Sequence, residues 1–353
     1  MQTQSKFRLL VVRLGSMGDI LHALPAITAL RQAHPEWEID WVVEPRWRTL
    51  LAAEGSSGRG PAQPLVDRLY LAPTRDWHKA PLSRNTRHEI KALRSALQDV
   101  NYNAVLDLQG AIRSAVIGRM AGCSRLIGEA EPREQAARWL FTERVATRGV
   151  HVIEQDVELA SAVAGDALAP ARPWLPLDPA AEAWTNQLLS SSVDRPAVLI
   201  NPGAGWGAKR WPIERFAVVA QGLIHRGMRV LVNTGPGEEP LAETILRSAG
   251  AATSLTCSLD RLIALTRRVA LVIAGDTGPL HLACALARPV VGIYGPTDPS
   301  RNGPFGTRFK VLRSPGSRRD HTRNKAPEAG LLTILPGDVL KAAEELLAPE
   351  AVS

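Results

Sequence analysis

Short apolar runs that alternate with helical stretches, joined by glycine-containing loops, constrain this chain more than any other feature. FRLLVVR at residues 7–13 is an apolar run, LGSMG is a turn, and DILHALPAITALRQAHP places Ile20, Leu24, Ile27 and Leu30 at helical spacing. An apolar strand in EIDWVVEP follows, then a short one at RLYLAP. The helix RHEIKALRSALQDV carries Ile90, Leu93, Leu97 and Val100 on one stripe, and AVLDLQG reads as a further strand. Strands separated by helices of ten to fifteen residues imply parallel βαβ units.

Residues 164–179 (AGDALAPARPWLPLDP) are rich in proline and small side chains and mark a linker. Beyond them the alternation restarts: AVLINPG, IERFAVVAQGLIHRG, MRVLVNTG, LAETILRSAG, DRLIALTRR, VALVIAGDTG, PLHLACALA and PVVGIYGPTDP. LPGDVLKAAEELLA closes the chain as an amphipathic helix. The expected organisation is an α/β domain at 1–172, a second at 173–335, and a terminal helix at 336–353 that packs back on the first domain. A length of 353 residues, about twice that of a typical domain, agrees.

Composition narrows the class. With 45% hydrophobic and 22% charged residues the chain has material for packed cores. Cys123, Cys257 and Cys284 are well separated and odd in number, which fits neither a disulfide framework nor zinc-site spacing and points to a reducing compartment. The apolar run from Leu9 to Val12 is too short for a secretory signal, and no stretch approaches the ~20 apolar residues of a membrane span. Net charge is +7, which suits nucleic acid, anionic lipid or a phosphorylated ligand. Ten basic residues stand against Glu54, Asp67, Asp76 and Glu89 in residues 46–94, and eight against Asp320 alone in residues 301–325. Each cluster has a plainer reading as a solvated loop or helix face, the more natural one for residues 301–325.

Ligands of open parallel sheets sit beyond the carboxyl ends of the strands, so the glycine loops are where chemistry is sought. Neither half carries GxGxxG or GxxxxGK[ST], which argues against hydride transfer and NTP hydrolysis, and few aromatics other than tryptophan leave no stacking platform for nucleic acid. Asp19 sits where the first helix begins, at the mouth of a glycine loop that lets the backbone approach a ligand, or simply as an N-cap. In GDTGPLHLA, backbone N–H groups at Thr277 and Gly278 would face an anion at a helix N-terminus; a capped helix with His281 as a satisfied core histidine is the plainer alternative. The loop NPGAGWGAKRWP ends in Lys209 and Arg210 and suits a pyrophosphate. Glu238 could hold a ribose or be a first-turn acidic residue. No DxD pair is present, which implies a phosphate site that works without metal.

Taken together, SMGDILHALPAI, DWVVEP, NYNAVLDLQGAIRSA, KRWP, GDTGPLHLA and YGPTDP, in this order over nearly the whole chain, resemble the lipopolysaccharide heptosyltransferases. Within that family the SMGD loop and LHALPA are more similar to type I than to type II. The resemblance implies a GT-B fold, two Rossmann-like domains facing across a cleft, and an inverting, metal-independent transfer of heptose from ADP-heptose to a Kdo residue of Kdo-lipid A. The enzyme would work as a peripheral protein at the cytoplasmic face of the inner membrane, without a cofactor and without nucleic acid. Transfer to another heptose position, or from another nucleotide sugar, is the nearest alternative; a Rossmann-type oxidoreductase or a nucleic-acid-binding protein is a more distant one.

Carried onto this sequence, the resemblance makes Asp19 the general base. Lys209 would contact the donor's phosphate and sugar, Asp276 the heptose, Thr277 and Gly278 the diphosphate, and Glu238 the adenosine ribose, with Glu239 able to replace Glu238 after a one-residue slip. His281 joins the donor residues, while Arg75, Lys79, Arg84, Arg87, Gln109 and Arg113 are expected at the acceptor. Two departures stand out: Gly15 occupies a place where a small hydroxyl residue is expected, and Ala204 and Gly205 replace a threonine-containing loop.

Overall fold

The computed structural model describes residues 6–190, 195–317 and 326–348. The chain divides into two units, Met1–Leu177 and Asp178–Ser353. In the first, β1 (Arg8–Val12) leads into α1 (Met17–Ala33), β2 (Glu38–Val43), β3 (Arg68–Leu71), α2 (Thr74–Lys79) and α3 (Arg84–Gln98). It continues through β4 (Ala104–Asp107), α4 (Ile112–Met120), β5 (Leu126–Glu129), β6 (Glu143–Val145) and α5 (Val152–Ala164). The six strands pair in parallel in the order β3-β2-β1-β4-β5-β6, with Val12 opposite both Val42 and Asp107.

Burial explains the apolar runs. Leu9, Leu10, Val11 and Val12 are fully buried, as a central parallel strand covered by helices on both faces must be. Helix α1 is buried along most of its length because it lies on the sheet and also packs against α5. The proline-rich stretch after α5 is tied to this unit: Ala171 N donates to Pro25 O, Trp174 N to Thr28 Oγ1 and Leu177 N to Pro61 O. These bonds take the boundary to residue 177, five residues beyond the expected 172.

The second unit runs α6 (Pro179–Ser190), β7 (Ala197–Asn201), α7 (Ile213–His225), β8 (Arg229–Asn233), α8 (Glu239–Ser248), β9 (Thr253–Leu255) and α9 (Leu259–Thr266). It ends with β10 (Leu271–Gly275), α10 (Gly278–Ala285), β11 (Val290–Tyr294), α11 (Pro299–Asn302), β12 (Phe309–Arg313) and α12 (Pro336–Leu347). Its sheet is also all parallel, in the order β12-β11-β10-β7-β8-β9. Counted from β7, this is the winding of the first sheet. In each, the strand order reverses beside the first strand, between β1 and β4 and between β7 and β10, and such switch points open the crevice that ligands use.

One expectation is corrected. Helix α12 packs on the second unit, where Val339, Ala342, Ala343 and Leu346 join Phe216, Leu223, Val291 and Ile293 in one core. The apolar sides of α7 and β11 need a cover, and α12 supplies it; Lys310 Nζ meets Glu345 Oε2 at 2.6 Å and Arg308 Nη2 donates to Leu346 O at 2.7 Å. Among the described residues, no helix is long and apolar enough to cross a membrane.

Candidate active site

The switch point of the second sheet gathers the residues singled out there. Lys209 ends a single 3-10 turn (Gly207–Lys209) after β7, and Asp276 follows β10 directly. Lys209 Nζ donates to Asp276 Oδ2 at 2.5 Å, while His281 Nε2, one turn into α10, lies 3.1 Å from Asp276 Oδ1. All three side chains are almost buried. Burial alone would push the Asp276 carboxyl up, but the His281 ring and the Lys209 ammonium outweigh it and hold the group well below the usual carboxylate range. The ammonium also lies 4.3 Å from the centre of the Trp206 ring, a cation–π contact that fixes it further.

Helix α10 begins at Gly278 with Pro279 behind it. Thr277 occupies the N-cap position, yet its hydroxyl donates to Gly275 O at 3.2 Å and makes no cap bond. The plain capped-helix reading therefore fails, and the positive end of the helix dipole is not neutralised by that side chain. His281 is buried as a core histidine would be, with the Asp276 carboxylate as its partner.

Glu238 lies at the start of α8 and accepts from Gly235 N at 3.1 Å. Its carboxylate fills the space next to Gly203, in the loop after β7, so closely that any side chain there would collide with it. Glu239 is exposed and accepts from Gly237 N at 3.1 Å. Glu238 is thus the one drawn in toward the β7 loop.

In the first unit Asp19 is the third residue of α1 rather than its N-cap, which is Ser16. Asp19 Oδ2 accepts from Ser16 N at 2.7 Å and from Ser16 Oγ at 3.2 Å. The other oxygen, Oδ1, is 3.7 Å from Arg13 Nη2, and Arg13 Nε donates to Asp19 O at 3.2 Å. Gly15 is required where a hydroxyl residue was expected, because a Cβ there would stand 2.8 Å from Trp47 Nε1. Gln109, expected at the acceptor, is buried, and its Oε1 accepts from Leu14 N at 3.0 Å and Gly15 N at 3.3 Å, bracing the Asp19 loop from the end of β4.

The expected acceptor cations fall into two groups. Arg84 and Arg87 are exposed on α3, in line with Lys91 and Arg94 on one helical face; Lys79 is exposed but paired with Asp76 at 2.9 Å. Arg75 and Arg113, exposed on α2 and α4, come close to Arg46, which the sequence reading had not singled out. Burial lowers the Arg46 guanidinium and the charges of Arg75 and Arg113 lower it further, against the pull of Glu44. Arg46 also stacks over Trp47 at 4.5 Å.

Of the cations in residues 301–325, Arg308, Lys310 and Arg313 are engaged within the second unit, and Arg318, Arg319, Arg323 and Lys325 lie outside the described residues. Among the described residues, no group of three or more His, Cys, Asp or Glu is placed to hold a metal ion.

Arg13, which touches Asp19, and two buried carboxylates of the same unit, Asp107 and Asp156, escaped the sequence reading. Asp156 left a signal, since it falls on the apolar stripe of α5 formed by Ile153, Val157, Ala160 and Val163.

Comparison with known proteins gives a consistent result. The family model of glycosyltransferase family 9 (heptosyltransferase) matches residues 90–331. Lipopolysaccharide heptosyltransferase 1 of Escherichia coli (strain K12) is 32% identical over 313 residues, covering 87% of this chain and 94% of that protein. The protein of the same description from Pseudomonas aeruginosa is 27% identical over 304 residues, covering 85% and 81%. Among solved structures, the E. coli heptosyltransferase WaaC with ADP matches with a TM-score of 0.79 and 28% identity, covering 96% of this chain and all of that one. A family 9 glycosyl transferase from Veillonella parvula, at 21% identity, shares the fold with a TM-score of 0.81 over 98% of each chain.

Proposed function

This chain belongs to glycosyltransferase family 9, the heptosyltransferases, and from that premise we propose that it moves a heptose from ADP-heptose to a Kdo residue of Kdo-lipid A in lipopolysaccharide inner-core synthesis, inverting the anomeric centre. The observation that carries this reading is the Lys209–Asp276–His281 arrangement at the start of α10. A carboxylate fixed from two sides can receive sugar hydroxyls, while the neighbouring helix N-terminus and ammonium meet a diphosphate. The WaaC structures were solved with ADP and with ADP-2-deoxy-2-fluoro heptose, which supports the same donor here.

Asp19 takes the proton of the acceptor hydroxyl as that oxygen bonds to the anomeric carbon. ADP leaves from the opposite side in one displacement, which inverts the centre. Lys209 and the N–H groups of Thr277 and Gly278 steady the departing diphosphate, and no metal is needed for that step. Glu238 holds the adenosine ribose. Arg75, Arg84, Arg87 and Arg113, with Arg46, meet the phosphates and carboxylates of an acceptor at the inner membrane face. Incubating the purified protein with ADP-heptose and Kdo-lipid A, with and without chelator, and weighing the product tests the reading. A mass gain of one heptose that survives chelation is expected; no gain, or a gain only with divalent ion, contradicts it.

A further inference from the structure

The turn between β1 and α1, which brings Asp19 into place, is held from two sides. From the end of β4, Gln109 binds Leu14 N and Gly15 N; from the end of β2, Glu44 N donates to Leu14 O at 3.1 Å. Further along, Asp19 itself accepts from Ser16 N. Gly15 leaves one bare side, and a single side chain lies against it.

That side chain is Trp47, in a 3-10 turn (Pro45–Leu50) that follows β2 and packs on α1. Trp47 N donates to Glu44 O at 2.9 Å, and the buried Glu44 carboxylate accepts from Thr74 Oγ1 and from Arg75 N, so the start of this turn is fixed. The indole edge reaches Gly15: a Cβ there would stand 2.8 Å from Nε1 and 3.0 Å from Cδ1. Nε1 is buried without a hydrogen-bond partner, a penalty that phenylalanine in the same contact would avoid. Tryptophan offers something in return. The Arg46 guanidinium lies over the indole, 4.5 Å from the ring centre, and of the aromatic side chains tryptophan is the strongest cation–π partner. One indole thus touches both the turn that leads to Asp19 and the neighbouring cation.

We propose that Trp47 is a positioning residue: its edge on Gly15 keeps the turn, and with it Asp19, in place, and its face holds Arg46 at a set separation from that base. The proposal rests on the readings of Asp19 as the base and of Arg46 as an acceptor contact. An acceptor anion seated on Arg46 then brings its hydroxyl to Asp19 in register, and a small displacement of either group lowers the rate steeply. The donor residues belong to the second unit, so affinity for ADP serves as a control.

The test uses the full chain and measures kcat, the KM for Kdo-lipid A and the affinity for ADP. It compares wild type with Trp47→Ala, Trp47→Phe, Arg46→Gln, Asp19→Asn and the double variant Asp19→Asn/Trp47→Ala. Trp47→Ala should lower kcat roughly 10-fold and raise the acceptor KM about 3- to 10-fold, with ADP affinity unchanged. Arg46→Gln should raise the acceptor KM alone. Trp47→Phe, whose ring still reaches Gly15, should recover most of kcat while its acceptor KM stays raised. Since Trp47 acts through Asp19, its removal should lower turnover no further in the double variant. Wild-type kcat in Trp47→Ala, a loss as deep in Trp47→Phe, the same loss repeated on the Asp19→Asn background, or a parallel loss of ADP affinity overturns the proposal. An unchanged acceptor KM in Arg46→Gln removes the acceptor reading of Arg46 and the proposal with it. Should Asp19→Asn retain activity, the base reading fails and the proposal falls too; a slow Asp19→Asn beside an unaltered Trp47→Ala overturns the proposal alone.

Discussion

Gly203 and the Glu238 carboxylate share one small space at the ends of the neighbouring strands β7 and β8, and a Cβ on residue 203 would overlap Oε2. Alanine at 203 should therefore act through Glu238. The backbone there needs no positive φ, so the fold tolerates the change. Losing a charge-assisted bond of about 1.5–3 kcal/mol predicts ADP binding roughly 10- to 100-fold weaker, matching Glu238→Ala by titration calorimetry. Full ADP affinity in Gly203→Ala would separate Glu238 from the nucleotide.

Asp19→Asn keeps an oxygen for Ser16 N, so α1 stays capped and the melting temperature should hardly move. Turnover should fall about 100-fold or more while ADP affinity persists. Near-normal turnover would leave Asp19 with only its place in the helix cap.

Removing Lys209 strips Asp276 of one of its two partners. Lys209→Met should cut kcat/KM for the donor by more than it weakens ADP binding, because a cation beside a departing diphosphate acts most in the transition state. Magnesium should not rescue it. Equal losses in both quantities would assign Lys209 to ground-state binding.

Asp156 makes a stability prediction. Its folded-state pKa, about 7, lies above the ordinary carboxylate value of 3.8, so the unfolded chain gives up this proton more readily. Stability is then lost as pH rises from about 4 through 7. Urea unfolding should find Asp156→Asn gaining on wild type over that window and levelling off above it, by at most about 4 kcal/mol. A constant difference from pH 4 to 8 would show that the carboxyl titrates normally.

Neutralising Arg75, Arg84 and Arg87 should raise the acceptor KM and weaken binding to anionic vesicles, leaving the donor KM alone. Lys79, already paired with Asp76, should matter less. With a Debye length of about 8 Å at physiological ionic strength, wild-type acceptor binding should weaken as salt rises, and the triple variant should respond less. If neutralising Arg308, Lys310 and Arg313 proved the more damaging, the acceptor assignment would move.

What the sequence disclosed was local. Asp19, Lys209, Asp276 and Glu238 each sit within a few residues of a helix start and a glycine loop, so their neighbourhoods could be read from adjacent positions. Strands β5 and β6 were not foreseen, for they have four and three residues, the first carries Gly128 and the second opens on Glu143 and Arg144, and packing rather than pattern fixes them. The Gln109 brace joins residues 95 positions apart, beyond any local pattern. The placement of α12 depended on which apolar face lacked a cover, a property of the folded sheets.

Both sheets wind in one order, so the polypeptide repeats a single scaffold and confines its chemistry to a few connecting segments at each switch point. Specificity in such a molecule is modular. Exchanging the segment between β7 and α7, or between β10 and α10, for that of a family member with another sugar leaves every strand pairing intact, and altering the turn between β1 and α1 leaves the donor segments untouched. With the roles proposed above, donor choice and proton transfer would change one at a time.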